Sequence, residues 1–292
     1  MVKVGIVGIK GIVGQTMKIC LQNVKNVEIK EFGRETPTED VDIAVLCTDN
    51  PDSKILVEKF EDYAKYIIDM SSEFRLKEDV PLVIPEINPE AITKKTRLIA
   101  SPNCTTTALV MALAALKPAY TLDEVFFCSY QAISGGGKKL LEETANPKSV
   151  YHKNCVPQIG GILENGFSSE EMKSIYETRK ILSLPNIKVY PHTVRVFVEN
   201  AHSLGVTLRA AEKFDMEKVR NLLSSFEGLV YTNEVITPKD GDGKDEVFVC
   251  RLRQDIENPK IIHFFLVMDN ILKGAALNGA QIIEYLIKKG MV

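Results

Sequence analysis

Cys104 stands in the stretch Ala100-Ser-Pro-Asn-Cys-Thr-Thr-Thr107, directly after Pro-Asn and directly before an Ala/Leu-rich segment. That placement predicts a thiol at a helix N-terminus, where the dipole and the open N–H groups favour a thiolate and can receive an oxyanion. Cys20, Cys47, Cys128 and Cys250 lie within apolar segments and read as packing, as does Cys155. A nucleophilic thiol needs a base. His202, at the end of Arg195-Val-Phe-Val-Glu-Asn-Ala-His202, follows a strand and a small residue that lets substrate approach. His152, His192 and His263 remain alternatives. No histidine–carboxylate group has metal-ligand spacing, so no metal is expected.

A second chemical signal lies at the chain start. Gly8, Gly11 and Gly14 form GxxGxxG between an apolar run and a helical pattern. Glycines there permit a tight strand-to-helix turn and let a pyrophosphate approach the helix N-terminus. The loop residues Lys10, Ile12 and Val13 would share that contact. At the end of the next strand Glu31 favours a ribose hydroxyl, whereas Arg34 favours a 2′-phosphate, so NADP and NAD both remain open.

Around these residues the chain must build about two domains, since it has 292 residues. Lys plus Arg (36) nearly balances Asp plus Glu (39), which argues against a general nucleic-acid binder. The absence of Trp removes the best base-stacking platform. No apolar run reaches membrane-spanning length, and the six scattered cysteines fit a reducing cytoplasm.

Apolar runs at Val2–Val7 and Val27–Phe32, and at 43–47, 66–69 and 82–84, alternate with helical segments, one of them over 15–24. This predicts a Rossmann-like α/β domain with a parallel sheet covered on both faces. After Cys104 comes a helix over 105–116. Longer alternating runs follow at 125–134, 188–198, 205–211, 247–253 and 261–268, typical of a solvated antiparallel or mixed sheet. Residues 144–169 read as a long functional loop, and 270–289 as a closing helix. The expected division is a dinucleotide-binding domain of residues 1–104 and 270–292, and an α+β substrate and dimerisation domain of residues 105–269.

SPNCTT (101–106), YQAISGGG (130–137), EEMK (170–173), RVFVENAHS (195–203) and KGAALNGAQIIE (273–284) occur in the order found in aspartate-β-semialdehyde dehydrogenases. Upstream, DMSSEFR (69–75) and VPLVIPEIN (80–88) resemble that family's phosphate-binding segment. The resemblance spans almost the whole chain. It implies reversible NADP-linked reductive dephosphorylation of aspartyl phosphate to aspartate semialdehyde, through a thioester on Cys104, in biosynthesis of lysine, threonine and methionine. His202 would act as general acid/base and Gln131 would orient the acyl group.

By the same resemblance Arg195 clamps the substrate α-carboxylate and Glu170 holds its amino group. Lys173, Arg75 and Asn103 bind phosphate, and Ser134, Gly135 and Asn278 contact the cofactor. The residues taken alone read Glu170 and Lys173 as an exposed helix ion pair. On one straight strand, Arg195 and His202, seven positions apart, would face opposite sides. Family members are dimers or tetramers, so a homo-oligomer is expected. The sequence departs from the family at Lys10 (usually Thr), at Phe197 and Ala201 (usually Pro and Gly), and in a shortened stretch over 34–41. The alternatives are N-acetyl-γ-glutamyl-phosphate reductase and a non-catalytic dinucleotide-binding or assembly protein of the same fold.

Overall fold

The computed structural model describes every residue of 1–292 except Thr36 and Thr38. Both lie in the stretch 34–41, so its expected shortening falls partly outside the described residues. The chain divides into two units, Met1–Asn103 with Ala275–Val292, and Cys104–Gly274.

The first unit begins with β1 (Val2–Val7), α1 (Ile12–Gln22), β2 (Val27–Phe32), β3 (Val41–Leu46), α2 (Asn50–Phe60), β4 (Ala64–Asp69) and β5 (Leu98–Ala100). Its strands form one parallel sheet in the order β2-β1-β3-β4-β5. The last four residues of β1, β3 and β4 are all buried, as expected for strands covered on both faces. Phe60 of α2 packs among Val7, Leu46, Leu56 and Ile67, with Phe32 edge-on to it at 5.6 Å. Residues 82–84 do not form the expected strand. Leu82 makes one isolated bridge to Ala100, and the backbone is then held by Asn88, whose Oδ1 accepts from Ile84 N–H.

The second unit contains α3 (Cys104–Leu116), β6 (Leu122–Gln131), α4 (Gly137–Thr144), β7 (Cys155–Val156), α5 (Ser169–Leu182), β8 (Lys188–Val196), β9 (His202–Ala210), α6 (Met216–Ser225), β10 (Leu229–Tyr231), α7 (Pro238–Gly241), β11 (Val247–Gln254) and β12 (Ile261–Met268). The strands order β10-β11-β12-β9-β6-β8-β7. The sheet is mixed, because β6 pairs parallel with β8, and β10 with β11. Every residue of α3 after Cys104 is buried. Its run of Ala, Thr and Leu therefore reflects a helix packed all round rather than an amphipathic one. α3 packs against β6, β9, β11 and β12 on one face of the sheet. The opposite face carries exposed Phe126, Tyr130 and Tyr190.

The closing segment returns to the first unit as α8 (Leu277–Lys288), preceded by a π-helical turn over Leu272–Ala276. The expected closing helix over 270–289 forms without a break from Leu272 to Lys288, its first turn wound as a π-helix. Asp269 Oδ1 accepts from the N–H groups of Ile271 and Leu272, and Gly274 N–H reaches back five residues to Asp269 O. Such a wide turn inside a helical stretch commonly marks a functional position.

Candidate active site

Within the second unit, strand register places three expected residues side by side. Gln131 at the end of β6 lies opposite Arg195 of β8, while Tyr130 lies opposite Ser203 of β9, which brings His202 next to Gln131. Each side chain points to the same sheet face as α3, and each is buried: Gln131 1%, Arg195 6%, His202 0% exposed. The seven-residue separation of Arg195 and His202 is reconciled because they are not on one strand. The turn 197–201 separates β8 from β9, and it ends with Ala201 at φ 68°.

Cys104 is the first residue of α3, where the helix dipole favours negative charge. Gly274 leaves it room: a Cβ there would stand 2.7 Å from Cys104 Cβ. Burial draws the Arg195 pKa down, and the charges of Cys104, Glu170 and Tyr151 act in the opposite sense. Cys104 and Glu170 are therefore within electrostatic reach of Arg195. Cys47 shows the contrast. Burial, then the Asp69 carboxylate, push its thiol up to about 12. Burial also raises Cys128. Cys155 corrects the packing expectation, since it lies exposed on the short edge strand β7.

His202 Nδ1 accepts the Ala132 N–H at 3.1 Å, which leaves the proton of the neutral ring on Nε2. Burial and then the Arg195 charge hold its pKa well below the ordinary histidine value. Among the described residues Nε2 has no hydrogen-bond partner. Gly135 lies against it, and a Cβ there would stand 3.0 Å from both His202 Nε2 and Arg195 Nη1. The Ala132 peptide serves both side chains, because its carbonyl oxygen accepts from Arg195 Nη1 at 2.6 Å. Nothing in the residue type of Ala132 signals this, since only its backbone is used.

Glu170 and Lys173 make an ion pair at 3.3 Å on α5, but it is not the solvated pair that the residues alone suggested. Glu170 is 6% exposed, and Gln131 Nε2 donates to its Oε1 at 3.5 Å. The capping box of Ser168 and Glu171 fixes the start of α5. Ser134 Oγ donates to Asn200 Oδ1 at 2.8 Å and accepts from Asn270 Nδ2 at 3.1 Å.

The first unit carries the second cluster. Gly8 has φ 84°, and a Cβ there would collide with the Cys47 carbonyl oxygen, while one on Gly14 would collide with that of Gly8. These two glycines are demanded by the fold. Gly11 is different: its φ is −77°, and a Cβ would stand 3.4 Å from Gly8 O, with nothing else near. Gly11 is also the N-cap of α1, which starts three residues earlier than expected and so places Ile12, Val13 and Gly14 in its first turn. A backbone cradle with an open glycine fits a phosphate-bearing dinucleotide. Lys10 is exposed in the same turn.

Asn278 Nδ2 donates to Val83 O and Ser101 Oγ, each at 3.0 Å. Its buried Oδ1 has no partner among the described residues, and so is an acceptor set for an amide donor. Arg75 Nε donates to Ser101 O at 2.8 Å, so Ser101 joins Arg75 to Asn278, and Asn103 follows two residues later. Lys173 belongs to the other unit. The two residues read for cofactor choice are both ion-paired: Glu31 with Lys18 at 2.7 Å, and Arg34 with Asp52 at 2.6 Å. Among the described residues no group of three His, Cys, Asp or Glu could hold a metal. No helix among them is long and apolar enough to cross a membrane.

Two family models match: semialdehyde dehydrogenase, dimerisation domain, over residues 113–273, and semialdehyde dehydrogenase, NAD binding domain, over residues 20–95. An aspartate-semialdehyde dehydrogenase of Aquifex aeolicus is 34% identical, over 94% of this chain and 88% of its own length. One from Shewanella violacea is 40% identical over 76% and 72% respectively. The crystal structure of aspartate semialdehyde dehydrogenase II of Vibrio cholerae, complexed with ASA, superposes with a TM-score of 0.90 at 31% identity. It covers 99% of this chain and 98% of that one.

Proposed function

The chain belongs to the aspartate-semialdehyde dehydrogenase family, an oxidoreductase family of amino-acid biosynthesis, and from that premise we propose how its own residues run the reaction. The substrate is L-aspartyl 4-phosphate, reduced reversibly to L-aspartate 4-semialdehyde with release of phosphate. The observation that carries this reading is the cluster of Cys104, Gln131, Arg195, Glu170 and His202 around the N-terminus of α3. The Cys104 thiolate attacks the acyl carbon, the C–S bond forms, and phosphate leaves with the electron pair of the C–O bond. Reduction of the thioester then releases the aldehyde and restores the thiolate.

His202 bears its proton on Nε2, so it can donate to the developing oxygen charge; one well-placed donor contributes roughly 3 kcal/mol. The Arg195 fork suits the α-carboxylate. Glu170 is buried and acidic, as a free α-amino group requires. Gln131 orients the acyl group, and Lys173 is the phosphate ligand that this unit offers; on the first unit Arg75 and Asn103 are the anion-binding residues that the family resemblance implies.

A nicotinamide dinucleotide, when bound, supplies or accepts the hydride. We assign its pyrophosphate to the backbone of Gly8, Lys10, Gly11, Ile12, Val13 and Gly14, and its carboxamide to Asn278 Oδ1. Ser134 and Gly135 flank the reacting centre; the dinucleotide is NADP, with NAD the alternative, and Arg34, paired with Asp52 at 2.6 Å, would meet a 2′-phosphate. The protein is a homodimer or tetramer. The sheet face with Phe126 stacked on Tyr190 at 4.3 Å, both more than 40% exposed, is the apolar surface suited to a second copy. The cytoplasm is its compartment, where the thiols stay reduced.

Incubation with aspartate semialdehyde, phosphate and NADP or NAD, followed by absorbance of the reduced cofactor, tests the reading. Turnover with at least one cofactor is expected. None with either, from folded protein, would overturn it.

A further inference from the structure

His202 is aimed by a backbone conformation that its own residue type does not explain. Ala201, directly before it, is held at φ 68° and is 1% exposed. A side chain with a Cβ reaches this left-handed region only under strain, and persists there when its surroundings over-determine it. The neighbour that does so is Asn270, two residues past the end of β12. Its side chain is 4% exposed, and Oδ1 accepts the Ala201 N–H at 3.0 Å. Its Nδ2 donates to Ser134 Oγ at 3.1 Å, and the Ser134 hydroxyl donates on to Asn200 Oδ1 at 2.8 Å. Asn200 is held in turn by Asp269, whose Oδ2 accepts from its Nδ2 at 3.0 Å and from Gly243 N–H at 2.8 Å. Consecutive residues 200 and 201 are thus gripped by the consecutive side chains of 269 and 270.

The register explains why this grip bears on catalysis. His202 pairs with Met268 across β9 and β12, so residues 200–201 and 269–270 are where the two strands run out together. The His202 backbone is paired there, whereas among the described residues its ring is held through Nδ1 alone, against the Ala132 N–H. Its direction therefore depends on where the Ala201 peptide delivers it. Were Ala201 to relax to negative φ, the ring would turn about the strand axis, lose the Ala132 hydrogen bond, and carry Nε2 away from Gly135 and Arg195.

We propose that Asn270 is a positioning residue. By accepting the Ala201 N–H it holds the strained turn that delivers His202 with Nδ1 on Ala132 and Nε2–H open to the substrate. This rests on the role of His202 in the proposed reaction, and it adds a residue to which neither the motifs nor the resemblance gave a role.

The test is Asn270→Ala alone and combined with Ala201→Gly, since glycine adopts the left-handed turn without help. Asn270→Ala should lower kcat about ten- to hundredfold with KM for aspartate semialdehyde within about twofold, because a misplaced catalytic group costs rate rather than binding. Asn270→Ala with Ala201→Gly should return kcat to within about threefold of Ala201→Gly alone. In ¹⁵N-histidine spectra, His202 of the native protein should show an unprotonated Nδ1 and a protonated Nε2, and Asn270→Ala should show mixing of the two forms. These spectra need no activity, so an inactive native protein would count against the reaction while leaving this inference testable.

Unchanged kcat in Asn270→Ala overturns the proposal. So does a loss that Ala201→Gly does not restore while the His202 signals stay native. If Asn270→Ala fails to fold, folding and activity of the double variant support the proposal. Failure of both to fold overturns it, because Asn270 then holds more than this turn.

Discussion

The glycine loop of the first unit and the thiol cluster of the second solve different problems. The loop is local: Gly8 through Gly14 are contiguous, and their function lies in backbone N–H groups and in the absence of side chains. The cluster draws on residues from Cys104 to Gly274, joined by strand register and helix packing, and it depends on side-chain chemistry. A local site tolerates change in side-chain type but not in backbone shape. A register-built site behaves in the opposite way.

The largest expected effect tests the side-chain half of that contrast. Cys104→Ser should lower kcat by at least ~10⁴-fold, as loss of a covalent nucleophile does, with the fold retained by circular dichroism. Cys128→Ser, a half-buried thiol on the other sheet face, should keep most activity; equal losses would mean that the thiolate is elsewhere.

The backbone half is tested by two glycines. Gly14→Ala meets carbonyl oxygen of Gly8 and should cost about 1–3 kcal/mol of stability in urea titrations. Gly11→Ala should leave stability within about 1 kcal/mol yet weaken cofactor binding by titration calorimetry, since its Cβ enters open space. If both behave alike, Gly11 is merely structural.

Arg195→Leu should raise KM for the semialdehyde and lower kcat, together about 10²-fold in kcat/KM. It should also remove the bond to Ala132 O and loosen the neighbouring histidine. Unchanged kinetics would remove Arg195 from the site.

The smallest effect is on stability against pH. The folded pKa of His202 is lowered by burial and by Arg195, so below about 6.5 the unfolded chain binds a proton that the folded one refuses. Stability should therefore fall as pH drops from 7 to 5.5. His202→Asn should flatten that slope, and an unaltered slope would place the titration on other groups.

Legibility followed the same division. The loop, β1, β2 and β12 could be read from contiguous pattern, because β-branched runs and glycine spacing are local signals. Cys104 was legible from its neighbours. The pairing of Gln131, Arg195 and His202 was not, since register is set by packing of distant strands, and a count along one chain put Arg195 and His202 on opposite faces. The burial of Glu170 needed α5 docked against α3 and β8. Residues 82–84 misled because an apolar run reads alike whether its backbone pairs with a strand or with an asparagine side chain. The roles of Ala132 and Gly274 lie in backbone and in empty space, which residue type does not report.

The central claim is that Cys104 carries the acyl group. Mixing the protein with aspartate semialdehyde and NADP, with phosphate omitted, isolates the step that forms the thioester. A burst of about one reduced cofactor per active site is expected, with an acyl adduct mapped to the Cys104 peptide and loss of both in Cys104→Ser. A burst that survives Cys104→Ser, or an adduct on another residue, would contradict it.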